Sequence, residues 1–283
     1  MAKVLLYIII LMQLLLVYLG FLFVINPYLP IILCLTFCTI SAIISLKFKE
    51  IPIDKTQSNS KNQNYFKNFK RSFNYIFKSN RLKSLLLFCG VFYGFINLLV
   101  SLRTSLLQDI NFPAQYIGIT IAILGIFSGF ASSKQEYFHK KLRNKLLGKF
   151  AIYTVISVFI CGIVVVLNIK VPYSIIIILS MYVIQYIIKG VYFTLNRKYL
   201  SSFTTADIRN KIYSANNLLE AVFGTIITFI SSRILLVTNT AYCMIILSIS
   251  FLIIFILLIK YMKTRLGLKP EEYKKSDIPV EVK

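Results

Sequence analysis

Histidine is almost missing from this chain of 283 residues, which holds only His139. That removes the two-histidine metal sites and the His-Glu metal pattern, and neither a Gly-rich phosphate loop nor a nucleophile elbow is present. The five cysteines, Cys34, Cys38, Cys89, Cys161 and Cys243, all lie inside apolar runs, so they read as small hydrophobes and give neither a zinc site nor a disulfide framework. Acidic residues number only ten, and charged residues of both signs make up 15% of the chain. An enzyme is therefore not expected, and neither is a metal or another cofactor. A membrane-embedded transferase would need two catalytic groups on adjoining faces, whereas only Glu220 sits deep in an apolar run. His139 falls in a polar stretch between two such runs and is expected to be exposed.

What is present in quantity is hydrophobic residues, at 57%. A chain of this length with that balance has to be dissolved in a lipid bilayer. A spanning helix needs about 20 mostly apolar residues to cross a hydrocarbon core of about 30 Å. Eight segments meet that length: residues 4–25, 27–46, 84–106, 113–132, 148–168, 171–194, 212–235 and 240–260. The first follows Lys3 but is too long for a signal peptide and ends in Asn26-Pro27-Tyr28 without a small-residue cleavage site, so it reads as a retained span. Backbone polar groups in lipid have to be paired within the segment, and no barrel-like alternation is visible. The fold class is all-α, a polytopic membrane bundle of about eight helices arranged two plus six.

The joints near Asn26, Lys170 and residues 237–239 are very short, which implies antiparallel neighbours and fixes how the loops alternate between membrane faces. With that alternation, one face receives 29 of the 32 Lys and Arg residues and the other only Arg103, Lys170 and Arg233. The net charge of +22 could suggest nucleic acid as a partner. Its segregation to one face instead follows the positive-inside rule, which makes that face and both termini cytoplasmic. The bilayer is the expected partner, nucleic acid is not, and the protein is expected in a bacterial plasma membrane.

Four stretches follow: two helices in 1–47, a basic cytoplasmic linker in 48–83, a six-helix bundle in 84–264 and a cytoplasmic tail in 265–283. The linker includes ten residues from Lys55 to Asn64 with none apolar. Its second half, 65–77, mixes aromatics with Lys67, Lys70 and Arg71, as either a helix on an anionic membrane surface or a plain basic linker would.

Two spans, a long basic loop, six spans and a cytoplasmic tail resemble the last eight helices of a twelve-helix major facilitator superfamily transporter. Asn26-Pro27-Tyr28-Leu29-Pro30, opening a span that closes with Leu46-Lys47-Phe48-Lys49-Glu50, is similar to that family's sixth helix. Lys141 to Lys149 stands where the family repeats its basic motif, without the acid and the paired arginines. Ser202 to Arg209, followed by Tyr213-Ser214-Ala215-Asn216-Asn217, resembles the junction of the tenth and eleventh helices. The resemblance implies a permease that moves a small solute, with or without a coupling ion, by alternating access. The first four helices of the family have no counterpart in this chain, so an incomplete transporter is expected; a non-transporting membrane subunit or a degenerate remnant is the alternative. The span at 4–25 carries Gly20 but no proline, so the fifth-helix motif of drug antiporters is not matched.

An ionisable residue within a span marks a pathway or a pair. Glu220 lies about 12 Å into its span at 1.5 Å per residue, on one helix face with Asn217, Gly224, Thr228 and Ser231. Tyr182, Gln185, Lys189 and Tyr192 form a second stripe on the preceding span, so Lys189 either pairs with Glu220 or snorkels to the headgroups. Tyr93 and Asn97 stand one turn apart beside Gly90 and Gly94. The candidate pathway residues are Tyr93, Asn97, Tyr182, Gln185, Lys189, Asn217 and Glu220, and the same small and polar faces also suit helix packing. Arg103 and Arg233, near the charge-poor ends of their spans, are expected to snorkel, with an anionic substrate as the other role for Arg103.

The topology is directly testable. Green fluorescent protein fused after Lys283 should fluoresce while alkaline phosphatase there stays inactive, and the same two reporters at Lys170 should give the opposite pair of results.

Overall fold

A computed structural model describes residues 26, 28–46, 79–142, 145–202, 204 and 206–263. The expected span at 4–25, most of the linker and the tail lie outside the described residues. Eight helices follow in order: α1 (Tyr28–Leu46), α2 (Asn80–Asp109), α3 (Ala114–Ser133), α4 (Gln135–Leu142), α5 (Leu146–Val166), α6 (Val171–Ser202), α7 (Ala206–Val237) and α8 (Thr240–Lys263). No strand occurs among the described residues. All but α4 are long and apolar enough to cross a bilayer. The chain is an integral membrane protein built as an all-α polytopic bundle.

Helix ends show why the chain turns where it does. Ser79 caps α2, its Oγ accepting from the Leu82 N–H at 3.3 Å. On the charge-poor side α2 and α5 both finish on an asparagine with positive φ, Asn111 at 56° and Asn168 at 53°. In each, the following N–H reaches back five residues, Phe112 to the Leu107 carbonyl and Ile169 to the Val164 carbonyl. This is the Schellman arrangement, and asparagine tolerates the left-handed position it needs. Helices α6 and α7 run past the expected 171–194 and 212–235, because the polar residues flanking those apolar runs continue the helix.

The stretch between α3 and α5 departs from expectation. It holds α4, and His139 is buried there rather than exposed, at 5% of its surface. The Tyr199 ring meets it edge-on at 5.9 Å, and the Tyr199 hydroxyl is 3.3 Å from its Nδ1. A charged segment reads as a loop, but docking on α6 gives one of its faces an interior.

Packing places the helices in the order α3, α6, α5, α8, α2, α7 across the bundle. The short joint at Lys170 does make neighbours of α5 and α6, as expected. The equally short joint at 237–239 does not: α7 and α8 touch only lightly, as do α6 and α7. Helix α2 is the most enclosed span, with Leu82, Phe88, Phe92, Phe95 and Leu99 fully buried. Phe255 of α8 centres its aromatic core, with the rings of Phe88, Phe92 and Phe95 at 5.9, 5.6 and 5.9 Å. Each such pair contributes about 0.5–1.5 kcal/mol beyond area burial.

Two close approaches depend on glycine. A Cβ on Gly94 would stand 3.0 Å from the Gly224 nitrogen, so α2 and α7 pack nearly backbone to backbone. A Cβ on Gly190 would run into the Ser128 carbonyl oxygen, and beside it Ser132 Oγ and Thr194 Oγ1 are 2.6 Å apart, tying α3 to α6. Tyr28–Leu46, in contrast, buries no residue.

Gly190→Val should lower the unfolding midpoint in detergent, by an amount equivalent to about 1–3 kcal/mol of overpacking. Gly94→Ala should cost less, because its nearest obstacle, Ile227 Cδ1 at 2.7 Å, is the end of a flexible side chain. Thermal unfolding followed by circular dichroism would rank the two.

Candidate functional site

Among the described helices lies a partly open cavity with a mixed polar and apolar lining. It measures about 1080 Å³ and lies between α2, α6 and α7, at the upper end of the range for small-molecule sites. Helices α5 and α8 contribute nothing to its wall. The spacing of Asn217, Glu220, Gly224 and Thr228 along α7 puts all four on this wall, opposite Tyr93 and Asn97 of α2. Ser231, the fifth residue of that stripe, is instead buried and donates to the Ile227 carbonyl of its own helix.

Glu220 is the acid of the cavity, 8% exposed. Asn216 Nδ2 donates to its Oε1 at 2.8 Å and Asn196 Nδ2 to the same oxygen at 3.2 Å. A carboxylate so bonded is oriented as well as stabilised, because two donors from different helices fix the plane of the group. Oε2 accepts no hydrogen bond among the described residues, so the second oxygen is available on the cavity wall. Arg197, exposed on α6, also lines the cavity.

The three candidates on the middle of α6 fall elsewhere. Tyr182, Gln185 and Lys189 do not line the cavity. Gln185 Oε1 accepts from Arg103 Nε at 2.8 Å, and the Tyr182 hydroxyl donates to the Arg103 backbone carbonyl at 3.2 Å. The Arg103 guanidinium lies 4.8 Å from the Tyr186 ring centre and 5.8 Å from that of Tyr182. Lys189 is half-buried with Nζ 5.6 Å from the same Tyr186 ring, and no ion pair joins it to Glu220. Of the two roles open to Lys189, the pairing with Glu220 is not the one seen: α6 and α7 touch only lightly, and Asn196, two turns on, meets Glu220 instead.

Arg103 also departs from expectation. Its position near the charge-poor end of α2 suits snorkelling, yet it is only 4% exposed, because its side chain crosses to α6 rather than rising to the surface. Arg233 stays exposed, 5.2 Å from the Phe229 ring. The small face of α2 serves packing, Gly90 and Gly94 lying against Phe223 and Gly224, while Tyr93 and Asn97 face the cavity. Tyr192, last of the α6 stripe, donates to the Cys89 carbonyl at 3.1 Å and is fully buried.

Sequence reading missed Asn196 and Asn216. Asn196 lies beyond the apolar run that marks its span, and Asn216 was hidden beside Asn217 at a junction of polar residues. The available signal was spacing: Asn216 is four residues before Glu220, one turn away on the same helix.

No family model, curated protein or solved structure matches this chain.

Asn216→Ala should destabilise the fold by about 1 kcal/mol, the net worth of a hydrogen bond in a membrane interior. Asn217→Ala removes an exposed side chain and should stay within about 0.5 kcal/mol of the parent. Reversible unfolding in mixed detergent would separate them.

Proposed function

We propose that this protein is a secondary transporter of the major facilitator type, moving a small solute through the cavity faced by Tyr93, Asn97, Asn217 and Glu220. One observation carries the reading: a partly open cavity of about 1080 Å³ between membrane-spanning helices with an oriented carboxylate on its wall. Burying a carboxylate among spans is costly and needs a return in function, and binding a coupling ion or a donor group of the solute would supply one. The wall of α2, α6 and α7 would be one side of a pathway that opens and closes by rocking of helical bundles. With 29 of the 32 basic residues on one face, both termini lie in the cytoplasm, and the host membrane is a bacterial plasma membrane.

A second reading, a membrane subunit that does not transport, is favoured by a different observation. Tyr28–Leu46 buries nothing, and only 11% of the apolar window of α7 is buried, as expected of helices that meet a partner.

Proteoliposomes holding the chain, alone and with any co-purifying membrane protein, would be loaded with a solute panel and assayed with and without a proton gradient. Transport that falls by roughly tenfold or more in Glu220→Gln, with folding intact, supports the first reading. Correctly inserted protein that moves no solute in either preparation would sink it and favour the second.

A further inference from the structure

The second polar cluster, built around Arg103, has a composition that the cavity does not explain. Among the described residues it combines three hydrogen-bond donors without acceptors and two positive charges without a carboxylate. Nη1 and Nη2 of Arg103 and Nε2 of Gln185 are buried, and none makes a hydrogen bond of ordinary geometry among the described residues. Gln185 is 1% exposed and Arg103 4%, so bulk water does not reach them. Among the described residues the guanidinium donates one hydrogen bond of ordinary geometry, from Nε to Gln185 Oε1, which leaves both terminal nitrogens of the fork unused. Lys189 adds a second cation on the other contact of the Tyr186 ring. Stacking on tyrosine offsets part of the cost of burying a cation but neutralises none of its charge.

No carboxylate pairs with the guanidinium among the described residues. Residues 4–25, the one expected span outside the described residues, contain no Asp or Glu. Of the described helices, α3, α5, α6 and α8 also have none in their spans.

We propose that Arg103, with Gln185 and Lys189, forms a binding site for a small monocarboxylate, distinct from the cavity at Glu220. A carboxylate matches the fork: its two oxygens accept from Nη1 and Nη2 in parallel while Gln185 Nε2 donates to one of them. The Tyr182 and Tyr186 rings favour a ligand with a compact apolar body next to that carboxylate. A spherical anion satisfies the charge but not the planar pair of donors. The site does not depend on the transport reading, since binding is measured without transport.

The test uses the purified full chain in detergent and follows its unfolding midpoint by circular dichroism. Sodium acetate, propionate and benzoate are titrated against sodium chloride at matched ionic strength. The carboxylates should raise the midpoint progressively with the logarithm of concentration, as a ligand of the folded state does, and chloride should not. Arg103→Gln should abolish the response, and Arg103→Lys, which keeps the charge without the fork, should weaken it by about tenfold. Because Arg103 replacements risk misfolding, Gln185→Glu gives an independent check. It sets a carboxylate of the chain's own beside the guanidinium, so it should raise the midpoint in the absence of ligand and cancel the response to added carboxylate. Glu220→Gln should respond like the parent, which separates this site from the cavity. A parent chain that responds to chloride and carboxylates alike, or to neither, would overturn the proposal, as would a Gln185→Glu chain that still responds in full.

Discussion

Hydrocarbon offers no partner to a peptide group, and most of this structure follows from that constraint. Each span has to close its own backbone bonds, so the chain is helical wherever it meets lipid and turns only where capping groups are at hand. The two Schellman ends at Asn111 and Asn168 show the economy of it: the chain reverses within a few residues, and the last carbonyls of α2 and α5 still find donors. Once backbone bonding is settled within each helix, what distinguishes one helix pair from another is side-chain shape. That is why α2 meets α7 at Gly94 and Gly224, why α3 meets α6 at Gly190, and why the aromatic rings gather around Phe255.

Polar side chains in such an interior have few places to go, and here they gather in two. Around Glu220, two asparagines from two helices donate to one carboxylate while their own side-chain oxygens are buried without a donor, so acceptors outnumber donors. Around Arg103 the donors outnumber the acceptors. Both clusters draw on α2 or α7 on one side and on α6 on the other, yet they sit at different heights on α6, with Gln185 in one and Asn196 in the other. Helix α6 thus connects an acid-centred group to a base-centred one while packing its opposite sides on α3 and α5.

How much of this could be read from the sequence varied with the reach of the interaction. The spans were legible because lipid demands long apolar runs, and the described ones match the expected positions to within a few residues except where α2, α6 and α7 extend into polar sequence. Glu220 was legible as an acid standing alone in an apolar helix, and its stripe correctly put Asn217 on the same wall. Lys189 was left with two roles, pairing with Glu220 or snorkelling, and the pairing is not seen because α6 and α7, though consecutive, touch only lightly. Arg103 and His139 were misplaced for a related reason. Position along a span tells how far a side chain lies from the surface, but not whether another helix waits to receive it, and Gln185 and Tyr199 are 82 and 60 residues further along.

The light contact between α6 and α7 has a mechanical side. Helix α3 approaches α6 closely at Gly190, and α2 approaches α7 at Gly94, so the four helices form two tight pairs. Across the line between the units, the 3.2 Å bond from Asn196 to Glu220 works as a latch rather than as part of a packed surface. Helices α5 and α8 join the two pairs behind that bond, and the carboxylate that receives it also faces the cavity, so one side chain serves both the contact and the wall.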